Sequence, residues 1–256
     1  MSSETATLLA EKAAKAHRLL AMTGSMNDTT GHVFVRMPGT DQFLARGRNP
    51  GDWSPRYVTP AAMRPVQLDG TPTGDWGDYA PPPERFIGAE LLKARPEVNA
   101  VIHAHPPAQI LCSNLGVPLR PIVGSQNWGG AAITAKGVPV YPRSLLIHTP
   151  ALGRAVATVL GRRDVVLLKH HGNVVVGGSV EEATVRAIAI ENLARLAWQL
   201  RSAGGDQPPI PFEDLEDQAA VALNPGQLGG GPDWQWRYYE QMLERGARLS
   251  DEIDWS

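Results

Sequence analysis

The stretch VNAVIHAHPPAQIL, residues 98–111, decides how the chain is read. Its first half is apolar and β-branched, the pattern of a strand. Residues two apart in a strand share a face, so His103 and His105 project the same way, close enough to hold one metal ion. Pro106 and Pro107 end the strand, and a short helix follows to about Asn114. A bare pair of this kind also suits hydrogen-bonded core histidines, so the rest of the chain must decide. A second stretch, KHHG at 169–172, follows the apolar run DVVLL. That run reads as a buried strand, continued beyond the glycine by NVVVGG. On such a strand His170 and His171 point to opposite faces, and one of them meets the pair. Three imidazoles with an open position describe a catalytic rather than a structural metal centre. Glu84, in PPPERF, opens the helix that leads to the His-x-His strand. It is either a further functional carboxylate or a residue favoured there by the helix dipole.

Outward from these stretches the pattern is regular. Residues 4–21 read as a helix, and HVFVRM (32–37) and QFLAR (42–46) as a hairpin around PGTD. RPVQL (64–68) and VPVYP (138–142) are short strands. The helix entered through Pro81–Pro83 stops before Pro96. Thr149 followed by Pro150 opens another helix, and Ser179 with Glu182 forms a capping box for the longest, about 180–203. Residues 204–233 are rich in Gly, Pro and Asp and read as irregular, and a short helix follows. Its Trp234, Trp236, Tyr238 and Tyr239 present too much apolar surface for a loose tail, and are expected to pack on the body or on a neighbouring subunit. Helices and strands alternate over one span without a repeat. The expected organisation is one α/β catalytic domain over 1–204 and a C-terminal loop and aromatic-rich tail over 205–256.

Composition narrows the function. A net charge of −2 with no Lys/Arg block gives no support to nucleic-acid or acidic-membrane binding. No run reaches the roughly 18–20 apolar residues of a membrane helix, and the acidic N-terminal stretch does not read as a secretion signal. The single cysteine, Cys112, excludes an internal disulfide, suits a reducing cytoplasm and reads as a core residue. His17 and His148 read as structural or surface residues.

The order of these features is a glutamate, about 20 residues, His-x-His, about 65 residues, His-Gly and a capped helix. It resembles the class II aldolase/adducin family over roughly 8–203. The resemblance implies an α/β fold of three αβα layers, with a central mixed, largely antiparallel sheet flanked by helices. It implies that His103, His105 and His171 hold one divalent metal ion per subunit, and that Glu84 is the acid/base. Zinc, manganese, iron and cobalt all suit three imidazoles. His170 would face away, with a core or supporting duty. The family's assembly implies a homotetramer with sites near subunit junctions.

Family aldolases acting on sugar phosphates hold the phosphate with a Gly-Asn-x-Ser segment, a Ser-Gly turn and a Ser-Ser pair. Here the first segment is GHVFVR, with His32 and Phe34, the turn is ARGRNP, and the serine pair is Pro82–Pro83. Proline offers neither N–H nor hydroxyl. Arg46 and Arg48 instead flank Gly47, and arginine grips a flat carboxylate through two parallel hydrogen bonds. The chain is thus similar to the branch of metal-dependent decarboxylases of hydroxylated aromatic dicarboxylates, although Phe34 replaces that branch's serine. The implied function is a cytoplasmic lyase of aromatic-compound catabolism that decarboxylates a small hydroxylated aromatic acid. Arg46, with Gly47, Arg48 and His32, would orient the substrate's second carboxylate. The alternatives are an aldolase for a hydroxy-keto acid or sugar phosphate, a non-haem iron oxygenase, and a non-catalytic adducin-like scaffold. The four metal-site residues argue against the scaffold.

Overall fold

The fold is seen in a computed structural model that describes residues 3–51, 54–122, 128–205 and 232–246. In chain order its elements are α1 (Ser3–Met22), β1 (His32–Arg36), β2 (Gln42–Arg46), β3 (Met63–Gln67), α2 (Arg85–Ala94), β4 (Ala100–Ala104) and α3 (Pro107–Leu115). They continue with α4 (Trp128–Ala135), β5 (Val140–Tyr141), α5 (Pro150–Leu160), β6 (Val165–Leu168), β7 (Gly172–Gly177), α6 (Val180–Ser202) and α7 (Pro232–Glu244). The strands form one sheet in the order β3-β2-β1-β4-β7-β6-β5. Every neighbouring pair is antiparallel except β5–β6. This is the mixed, largely antiparallel sheet of the expected fold class.

Strand alternation divides the core in two. Val33, Val35 and Ile102 face α1, α3, α4 and α6. Phe34, Val101, Val174 and Val176 face α2 and α5 on the other side. The register sets His32 directly opposite His103, so both side chains lie on the α2–α5 face. The caps form as the sequence predicts. Thr149 accepts from the Leu152 N–H, and Ser179 from the Glu182 N–H. Glu182 reaches back to the Gly178 N–H at 2.6 Å. Among the described residues, no helix is long and apolar enough to cross a membrane.

One expectation needs correction. The run through KHHG is not one strand. β6 ends at Leu168, the chain turns at Lys169–His171, and β7 returns antiparallel. His170 sits in the turn with φ +59, and the His171 N–H closes it on the Leu168 carbonyl at 3.0 Å. Strand alternation therefore does not apply to this histidine pair. His170 is exposed, 2.9 Å from Ser144 Oγ, and has no place in the core. Helix α4 is an element that the sequence reading does not assign, and its WGGAAITA carries no strong helix signal. Its small residues serve close packing instead: a Cβ on Gly129 would stand 3.4 Å from Ala189 Cβ of α6.

Most of 204–233 lies outside the described residues. Within 232–246, α7 lies on α1 and α6, joined by a Lys15–Glu240 ion pair of 2.6 Å. Trp236 is buried and Tyr239 packs against the same core, whereas Trp234 and Tyr238 stay exposed.

Helices α2 and α5 touch at a glycine. A Cβ on Gly153 would meet the Phe86 carbonyl oxygen and lie 2.8 Å from Glu90 Cγ. Alanine in a helix interior is favoured over glycine by about 1 kcal/mol, but the obstacle here is backbone that cannot rotate aside. Overpacking costs about 1–3 kcal/mol, so Gly153→Ala should lower the thermal midpoint. A rise in the midpoint by circular dichroism would show that α2 and α5 can part.

Candidate metal centre

Four side chains from three segments meet on the α2–α5 face. His103 is the penultimate residue of β4, His105 lies just beyond that strand, and His171 ends the β6–β7 turn. Glu84 precedes α2 after three prolines, and its side chain makes no capping bond to its own helix. One ligand-type atom from each lies within 4.8 Å of the others. His103 Nε2 is 3.1 Å from His105 Nε2 and 3.1 Å from Glu84 Oε2, and His171 Nε2 is 3.5 Å from Glu84 Oε1. The structure brings these four residues together, His171 included, although a turn rather than a strand delivers it.

Gly172 makes this convergence possible. A Cβ there would collide with the Ala104 carbonyl oxygen and stand 3.0 Å from His105 Cδ2. The glycine of the His-Gly pair is thus a requirement of β4–β7 approach.

The donor set fits a cation. His103 Nδ1 lies 2.8 Å from the Asn173 main-chain carbonyl, which only accepts, so Nδ1 carries a proton. In the neutral ring Nε2 then holds a lone pair, and it faces both a second imidazole nitrogen and a carboxylate oxygen. One proton can satisfy only one such contact, whereas a divalent ion can satisfy them all. Protonation follows the same geometry. Burial disfavours the His103 cation, but the Glu84 charge and hydrogen bond outweigh it and leave the imidazole raised. Burial likewise opposes ionised Glu84, but His103, His171 and the Ile147 N–H at 3.1 Å hold the carboxyl well below its usual range. Burial and the neighbouring histidines push His105 down to about 3 and His171 to about 4.

The other predicted site residues separate into two groups. His32 is 1% exposed, and neither ring nitrogen has a hydrogen-bond partner among the described residues. Burial, Arg46, His103 and Arg48 hold it far below the ordinary imidazole value. The Arg48 charge is felt by His105 as well as by His32. Arg46 is buried and donates to the Thr29 carbonyl at 2.8 Å, with its charge felt by His17 and His32. Gly47 passes under Tyr79, where a Cβ would come within 2.8 Å of the Tyr79 Cβ. Sequence reasoning missed the Ile147 N–H, Asn173, Gln109 and Glu191. No motif marks them, because a main-chain donor and a cross-element amide carry no local pattern.

Residues 11–198 match the family described as the class II aldolase and adducin N-terminal domain. The 3,4-dihydroxyphthalate decarboxylase of Terrabacter sp. is 39% identical over 224 residues, covering 87% of this chain and 92% of the relative. The enzyme of the same name from Arthrobacter keyseri is 38% identical over 233 residues, covering 89% and 91%. Among solved structures, L-fuculose 1-phosphate aldolase from Glaciozyma antarctica PI12 aligns with a TM-score of 0.77 at 22% identity, covering 98% of this chain and 92% of its own. At that identity the likeness is one of fold.

The buried histidines should make the metal-free protein acid-labile. Unfolded histidine titrates near 6.5, whereas His17 and His105 are held to about 3 and His171 to about 4. Below pH 6.5 the unfolded chain binds more protons at these three sites, so stability falls as pH falls toward 4. His103 has the opposite sign, stabilising at low pH, but it is one group against four, since His32 is also held far below the ordinary value. The loss should be about 1–2 kcal/mol per histidine by pH 5. The thermal midpoint of chelator-treated protein should therefore drop steadily from pH 7 to 5, and a flat profile would contradict these environments.

Proposed function

Because the chain belongs to the class II aldolase and adducin family, we propose that it is a metal-dependent decarboxylase of a small hydroxylated aromatic carboxylic acid. The observation that carries this reading is the cluster of three imidazoles and Glu84, with the Arg48 charge felt at His105. The names of the relatives above point the same way. In this reading His103, His105 and His171 hold one divalent ion per subunit. Such an ion, when bound, supplies Lewis acidity toward a hydroxyl–carboxylate oxygen pair and a sink for the electrons left as CO₂ departs.

The remaining work falls to side chains. Glu84 takes the proton of the substrate hydroxyl and returns it to the ring carbon that has lost its carboxylate. The Ile147 N–H fixes Oε1 and directs the carboxylate into the cluster. Arg48, with His32, receives the substrate's second carboxylate. Arg46, with Gly47 behind it, supports that wall from the Thr29 side and supplies further positive charge. Pro82 and Pro83 leave no hydroxyl for a phosphate dianion there, and a poorly solvated dianion is costly in a pocket. The same reading takes 1–204 as the catalytic unit, 205–256 as its tail, and the enzyme as a cytoplasmic homotetramer.

Metal-loaded protein should release CO₂ from an ortho-hydroxylated aromatic dicarboxylate and act poorly on sugar phosphates. Efficient cleavage of a sugar phosphate with no CO₂ from any hydroxylated aromatic acid would replace this reading with an aldolase. Glu84→Gln keeps the shape and removes proton transfer, so it should cut turnover by about 10²–10⁴-fold while the protein still retains metal by elemental analysis. His103→Ala should lose the metal itself.

A further inference from the structure

Glu191 is a buried acid that the chemistry above does not use. It lies on α6, behind the sheet from the histidine cluster, and is 1% exposed. Its carboxylate accepts from the Ala108 N–H at 3.2 Å, the Gln109 N–H at 3.4 Å and Gln109 Nε2 at 3.3 Å, and Arg195 Nε stands 3.4 Å away. Pro107 begins α3 without an N–H, and Pro106 has no capping side chain. The first free donors of α3 are therefore capped from another helix.

Both Glu191 oxygens accept from N–H donors, so Gln109 turns its Nε2 toward Glu191 and its Oε1 outward. That oxygen accepts from Asn173 Nδ2 at 2.9 Å, on the sheet face away from the metal centre. The Asn173 main-chain carbonyl receives His103 Nδ1, whose ring lies on the other face. The placement matters because the sheet itself secures only one ligand. His103 lies within the β4–β7 ladder, but His105 follows β4 and His171 precedes β7. Gln109 is anchored four residues beyond His105, across two prolines of fixed φ, and Asn173 stands two residues beyond His171.

We propose that Gln109, oriented by Glu191, is a positioning residue whose bond to Asn173 locks the two ligand segments, 103–105 and 171–173, into one rigid metal-binding unit. The proposal rests on the metal reading of the cluster. Outer partners of metal ligands typically control affinity by about 10–100-fold.

The test is titration of chelator-stripped full-length protein with Co²⁺ alone, followed by its visible absorption. Gln109→Leu removes both amide bonds at similar size. It should weaken Co²⁺ binding by about 10–100-fold and alter the ligand-field bands. Asn173→Ser breaks the same bond from the other end and should act in the same direction, which keeps the proposal testable if the first variant does not fold. Cys112→Ala, also on α3 and packed against the Ala194 carbonyl at 3.7 Å, serves as the packing control. It should lower the thermal midpoint but leave Co²⁺ affinity within about twofold. Folded Gln109→Leu and Asn173→Ser proteins with unchanged affinity would overturn the proposal, as would a Cys112→Ala loss of equal size. Wild-type protein that takes up no Co²⁺ would overturn the metal reading, and the positioning role with it.

Discussion

The antiparallel pairing of β4 with β7 is the contact on which the site depends. It aligns Ala104 with Asn173 and places the Asn173 carbonyl against His103 Nδ1. That one bond puts the imidazole proton on the far side of the ring, and the neutral ring so fixed presents a lone pair to its neighbours. Gly172 permits the approach, because any side chain there would strike the Ala104 carbonyl. A main-chain contact therefore decides which atom of His103 is available for chemistry, and it does so before any ligand arrives.

Around this pairing the two sheet faces have different duties. The α2–α5 face brings Glu84 to the histidines, and the close approach at Gly153 sets how near α2 can lie to α5. The opposite face carries the Gln109–Glu191 chain, where a buried carboxylate satisfies helix donors that two prolines leave uncapped. A buried polar chain of this kind costs stability unless each donor is met, and here hydrogen bonds meet the α3 donors and both ends of the Gln109 amide. The charge pattern on the ligand side is also self-consistent. A carboxylate held ionised and two imidazoles held neutral are the protonation states a cation needs.

Much of this is legible in the sequence, for identifiable reasons. His103 and His105 are readable because a two-residue period on an apolar strand has one meaning. The helices at Thr149 and Ser179 are readable because capping is local chemistry. Reading fails where geometry is not local. The strand pattern through KHHG hides a turn, since His170 adopts a left-handed φ that histidine seldom takes and sequence cannot announce. α4 is helical because α6 receives it, not because WGGAAITA favours helix. Gln109 and Glu191 are 82 residues apart, and nothing in either neighbourhood signals the bond.

Phe34 shows how a departure from the family's aldolases can be absorbed. Its ring is fully buried and packs where Gly88 has no side chain, since a Cβ there would come within 2.5 Å of Phe34 Cγ. Gly88 is four residues after Glu84, so it shares that face of the first turn of α2. The same ring lies 5.6 Å from that of His32, inclined by 24°, and meets Phe43 edge-on. Phenylalanine at 34 thus removes a hydroxyl that the resemblance assigns to phosphate binding, and supplies a flat support for the histidine that replaces the asparagine. The two changes form one packed unit. Restoring serine at 34 alone would leave a void against Gly88 and an unsupported His32, without returning the donors missing at Pro82 and Pro83. In the proposed function, selectivity against phosphate would therefore be distributed between a core contact and a loop, and a single substitution would reach only one of them.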